Sequence, residues 1–134
     1  MTKSVTSALV GAAVARGVIA SVQQPVPRCC PISRQLGQLY LDDGMRAGRQ
    51  VLPRDWVRES TRTWLAAPSY GRQYGWLWWI RSAPGAGDVA EAWGTCGQHI
   101  FVVRPMNLVV GVIARDNNID GGTQILDEIV AAAA

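Results

Sequence analysis

With 134 residues, 49% of them hydrophobic and 17% charged, the chain has the length and apolar content of one folded domain and not of a disordered tail. Its formal charge is only +3, and its 13 lysines and arginines are scattered from Lys3 to Arg115, which argues against a nucleic-acid groove. The longest apolar run, residues 8–15, ends at Arg16 and falls far short of the roughly 20 residues a membrane span requires.

Residues 2–15 place Val5, Leu9, Ala12 and Ala13 at helical spacing, with Gly17 as the stop. Lys3 precedes the apolar stretch as it would in a signal peptide. Arg16 interrupts that stretch and no small-x-small site follows, so the chain as written reads as cytoplasmic. Residues 18–22 suit a short strand or a turn approach. Residues 23–31 hold Pro25, Pro27 and Pro31 around Cys29 and Cys30, a density that predicts a junction without regular structure.

A second helix is predicted over 33–41, with Leu36, Leu39 and Tyr40 on one face, closed by the turn Asp42, Asp43, Gly44. A third follows Pro53 and carries Trp56 and Val57 toward Trp64. The period then changes to alternation. Residues 74–81 predict an aromatic strand with Trp76 and Trp78 on one face and Trp79 on the other. Residues 100–104 and 108–114 predict an antiparallel hairpin about Pro105, Met106 and Asn107, the second strand apolar enough to be buried on both faces. Residues 116–122 read as a loop, and 123–130 as a final helix with Ile125, Leu126 and Ile129 inward. Together these describe an α+β fold, an antiparallel sheet flanked by helices.

Four segments carry a resemblance. Residues 1–11 (MTKSVTSALVG), 36–57 (LGQLYLDDG, then GRQVLP and Trp56-Val57), 74–79 (YGWLWW) and 93–103 (WGTCGQHIFVV) are similar, in order, to the serine β-lactamase and penicillin-binding-protein-like hydrolases, including the 6-aminohexanoate-dimer hydrolases. The resemblance implies a partial β-lactamase/transpeptidase-like fold and cleavage of an amide or ester bond by a serine nucleophile. It divides the chain into a remnant of the active-site helix (1–22), a junction where the helical subdomain is deleted (23–32) and a C-terminal α+β part (33–134).

In that family the active-site helix opens with Ser-x-x-Lys, because residues one turn apart let the amine reach the hydroxyl and take its proton. Lys3 matches the lysine, and the serine would fall just before Met1; neither Ser4 nor Ser7 has a lysine three residues on. The family's Tyr-x-Asn motif has no counterpart either. Thr95-Cys96-Gly97, followed by Gln98, lies where the family carries Lys-Thr-Gly or a histidine variant, on an edge that can offer backbone donors to a substrate carbonyl. The implied substrate-binding residues are therefore Thr95, Cys96, Gly97 and Gln98, with Lys3 as the implied base.

No cofactor or metal is expected: Cys29, Cys30, Cys96 and His99 fit no zinc spacing, and Asp116, Asp120 and Asp127 suit turns and caps. A Cys96–His99 dyad is disfavoured, since three residues along a strand they would face opposite ways. The expected partner is a small amide or ester, with self-association through an exposed sheet face. Two readings stand: a serine hydrolase by family, usually periplasmic or secreted, or a catalytically inactive remnant that retains binding.

Overall fold

The computed structural model describes residues 30–95, 97–114 and 121–133. The expected helix over 2–15, the strand over 18–22, Lys3, Cys29 and Cys96, and most of the loop over 116–122, lie outside the described residues.

Helix α1 spans Cys30–Leu41, starting three residues before the predicted boundary. Pro31 sits in its first turn, where a missing amide hydrogen costs no helical bond, so the proline-rich stretch does not exclude the helix start. The buried face is set by Gly37 and Tyr40, while Leu36 is exposed, which corrects the predicted face. The reason is close approach: a Cβ at Gly37 would stand 2.4 Å from a Val109 methyl and 2.9 Å from an Ile100 methyl.

The chain leaves α1 through a left-handed Asp43 and Gly44, whose amide donates to the Leu39 carbonyl at 2.7 Å. A small ribbon follows, β1 (Met45–Arg46) against β2 (Arg49–Gln50), turned by Ala47 and Gly48 at positive φ as a two-residue hairpin requires. Helix α2, Arg54–Ser60, begins immediately after Pro53 and buries Val57 and Ser60.

The main sheet is a six-stranded antiparallel meander in sequence order: β3 (Leu65–Ala67), β4 (Arg72–Tyr74), β5 (Trp79–Ala83), β6 (Gly87–Gly94), β7 (Gln98–Val103) and β8 (Leu108–Ile113). The predicted 74–81 strand is thus two strands joined by a turn. Leu77 at φ 65° reverses the chain, and Trp76 and Trp78 share no strand face. Strand β6 is not among the elements the sequence predicts. Nor is β8 buried on both faces: it is a sheet edge among the described strands, with Gly111 and Ile113 exposed.

Alternation along the strands sorts the side chains onto two faces. Helix α3, Gly121–Ala133, covers one, setting Leu126 and Val130 against Ala83, Val89, Phe101, Val103 and Val110. Ile129 packs at its margin, but Ile125 is 42% exposed and does not point inward. The opposite face carries Ile80, Ala90 and Val102 beneath Tyr40, Val57 and Trp78, with the Tyr40 and Trp78 rings 4.4 Å apart. Helices on both faces of an antiparallel sheet make an α+β fold.

Candidate functional site

The turn between β6 and β7 is where the sequence places its substrate edge. Gly94 and Gln98 close the register of this hairpin, and Gly97 adopts φ 70°, a conformation that favours glycine. Thr95 is exposed and Gly97 buried. The turn is tied to the end of β8: the Gln98 side-chain amide donates to the Ala114 carbonyl at 2.7 Å, and the Ala114 amide donates to the Gly97 carbonyl at 3.2 Å. Thr95, Gly97 and Gln98 therefore belong to one braced turn, while Cys96 lies outside the described residues.

A pocket of about 300 Å³ opens beside this turn, bounded by Leu77, Ala92, Gly94, Gln98 and Ile100, and also by Trp93, His99 and Val112 of strands β6, β7 and β8. By alternation Ala92, Gly94, Gln98 and Ile100 belong to the face that carries α1. Among the described residues no lysine, arginine, aspartate or glutamate lines it. His99 is the one titratable side chain among the described lining residues, and the mostly apolar remainder suits an apolar or neutral polar ligand.

On the opposite face, sequence reasoning missed a buried ionic network. The Glu91 carboxylate, fully buried, accepts from the Arg72 Nε–H at 2.9 Å and from His99 Nδ1 at 2.7 Å. Strand pairing brings these groups together, since β6 lies between β5 and β7 and its inward alternation runs Val89, Glu91, Trp93. The His99 ring is near-parallel to Phe101 at 5.3 Å and to Trp93 at 6.1 Å, and the Arg72 guanidinium lies over Trp93 at 4.9 Å. A carboxylate held by two donors is the arrangement a buried charge needs.

His99 Nε2 is buried without a hydrogen-bond partner among the described residues and faces Gly122 near the start of α3. The signal in the sequence was an acidic residue in an otherwise apolar alternation, paired with a similar alternation at His99, Phe101 and Val103. Low β-propensity across the Gly- and Ala-rich segment 84–92 hid it. His99 is thus fully engaged on its Nδ1 side and lies in a strand that begins only at Gln98.

Two further clusters were not separated by sequence. Asp43 receives Arg58 at 3.0 Å and Arg104 at 2.9 Å, with Arg54 at 3.7 Å, which locks the α1 turn to α2 and to the β7–β8 connection. Burial works to raise the Asp43 carboxyl, but hydrogen bonds from Arg58 and Arg104 and their positive charge outweigh it and hold it below the usual carboxylate value. Trp56, Trp64 and Trp76 form an exposed aromatic group, Trp76 lying 5.1 Å from Trp56 and 5.8 Å from Trp64.

Among the described residues no three histidine, cysteine or acidic side chains could share a metal ion, and no helix is long and apolar enough to cross a membrane. No protein-family model matches the chain, and no curated protein matches it.

Proposed function

We propose that the chain is built on the plan of the β-lactamase-related serine hydrolases, in the manner of 6-aminohexanoate-dimer hydrolases, and that its described residues supply a cleft that binds an amide or ester rather than a nucleophile that cleaves one. The observation that carries this reading is the mostly apolar pocket that reaches Gly94 and Gln98 at the two ends of the braced turn. Backbone donors on such a turn would orient and polarise the bound carbonyl, the electrostatic part of acyl-transfer chemistry.

The nucleophile decides between binding and turnover. No serine lines the pocket among the described residues, and the Ser60 hydroxyl is buried, donating to the Val57 carbonyl at 3.1 Å. A serine without a base at hydrogen-bond distance is a weak nucleophile. The resemblance assigns Lys3 as the base of a Ser-x-x-Lys pair, and neither Ser4 nor Ser7 completes it.

Intact-mass measurement after exposure to a fluorophosphonate and to a penicillin tests the reading. The unmodified mass is expected with both. A stoichiometric serine adduct that disappears in Lys3→Ala would overturn the binding-only reading and establish a working hydrolase.

A further inference from the structure

The residue that forms one wall of the pocket sits in a conformation that its side chain disfavours. Leu77 has φ 65° and is 67% exposed, the highest exposure among the described large hydrophobic side chains, yet it borders the pocket. A left-handed backbone is rare for a bulky residue, and glycine or asparagine would adopt it at lower cost.

Hydrogen bonds and close contacts on both sides hold Leu77 in this conformation. The Gly75 amide donates to the Trp78 carbonyl at 2.7 Å, and the Trp76 amide donates to the Ser60 carbonyl at 2.9 Å. Gly75 itself lies so close to α2 that a Cβ there would stand 2.3 Å from the Ser60 carbonyl oxygen. On either side, Trp76 is held by Trp56 and Trp64, and Trp78 is buried against Tyr40. Two anchored tryptophans thus present a leucine side chain at the pocket rim, opposite Ala92 and Ile100. Strain retained in a residue that borders a cavity points to a role for its side chain there.

We propose that Leu77 is a specificity-determining residue and that the pocket takes the uncharged aliphatic acyl chain of the amide or ester. This rests on the binding reading above and narrows its substrate class. The chain lies between Leu77, Ala92 and Ile100, and the carbonyl reaches the Gly94–Gln98 turn. Among the described lining residues there is no lysine or arginine, and the one histidine, His99, has its Nδ1 held by Glu91, so a carboxylate is disfavoured.

The experiment titrates the full chain with octanamide, octanoate and acetamide, following amide ¹H–¹⁵N resonances. Octanamide is expected to saturate, with the largest shifts at Leu77, Gly94 and Gln98; octanoate to bind about tenfold more weakly or worse, and acetamide not to saturate. Leu77→Gly should raise the melting temperature by relieving the backbone while weakening octanamide about tenfold, a split that a merely structural leucine would not give. Ala92→Leu, which fills the pocket from its other wall, should also abolish saturation. Octanamide shifts remote from Leu77, no octanamide binding, octanoate binding as tightly as octanamide, or unchanged affinity in Leu77→Gly would overturn the proposal. Because this binding is reversible, its outcome is separate from the mass measurement. A serine adduct without octanamide binding at Leu77 would remove the specificity assignment while leaving a hydrolase in place.

Discussion

Gly122→Ala should destabilise the protein, although helix propensity alone predicts the opposite. Ala is favoured over Gly inside a helix by about 0.8–1 kcal/mol, and by less near the N-terminus, where Gly122 sits in α3. A steric clash with His99 outweighs that gain. The added methyl would stand 2.4 Å from His99 Cδ2, 2.5 Å from Nε2 and 2.9 Å from Cγ. Ordinary contact begins near 3.4 Å, so either α3 or the imidazole must move by about 1 Å. The ring cannot retreat cheaply, being fully buried, flanked by Trp93 and Phe101 and tied to Glu91 at 2.7 Å. Overpacking of this kind costs roughly 1–3 kcal/mol, which leaves a net loss of up to about 2 kcal/mol after the propensity gain. Urea unfolding followed by tryptophan fluorescence measures it, with unchanged slope required for a clean comparison. A double-mutant cycle supplies the control: in a His99→Ala background the same methyl has room, and Gly122→Ala should become neutral or stabilising. Gly122→Ala as stable as the parent, or equal effects in both backgrounds, would refute the claim that His99 fixes the seat of α3.

Glu91→Gln should cost about 3–5 kcal/mol, because it leaves the Arg72 guanidinium, 9% exposed, without its counter-charge; denaturant midpoints would show it, and a loss below about 1 kcal/mol would mean that water enters the network. Asp43 has a folded carboxyl lowered below its unfolded value, so its contribution is present above the unfolded value near pH 4 and is lost as pH falls through the lowered one. Asp43→Asn should accordingly flatten the decline in stability below about pH 4, measured by unfolding across the acid range. Its partners are substantially exposed, so the loss at neutral pH should be no more than about 1 kcal/mol per ion pair. Strand β8 presents an uncharged edge, LVVGVI, and self-association is proposed to run through that edge, since helices cover both sheet faces. Ile113→Lys should then shift the chain toward monomer in sedimentation velocity, and an unchanged distribution would remove the edge from consideration.

The elements legible in the sequence are those with a strong local signal. Pro53 marks the start of α2, the Asp-Asp-Gly turn marks the end of α1, and two apolar runs about Pro105 mark the β7–β8 hairpin. What escapes depends on tertiary contact. Gly37 becomes the inner face of α1 because the helix lies against Val109, and no periodicity announces a glycine as a contact residue. The aromatic run 74–79 has the pattern of one strand because the break rests on Leu77 at positive φ, which the residue type argues against. Strand β6 is hidden by its small residues, and with it the pairing of Glu91 with Arg72 and His99. Of the site residues expected from sequence, Thr95, Gly97 and Gln98 lie on one braced turn, a grouping that four consecutive residues would allow in any fold. The pocket beside it is not legible, because Leu77, Ala92 and Ile100 meet only through strand pairing and the reversed turn.

The most direct test of the central claim is a co-crystal structure of the full chain with N-butylhexanamide, a neutral aliphatic amide. The predicted result is ligand density between Leu77, Ala92 and Ile100, with the carbonyl oxygen within hydrogen-bond distance of a backbone amide in the Gly94–Gln98 turn. Density confined to another part of the surface, or an empty pocket at saturating ligand, would contradict it.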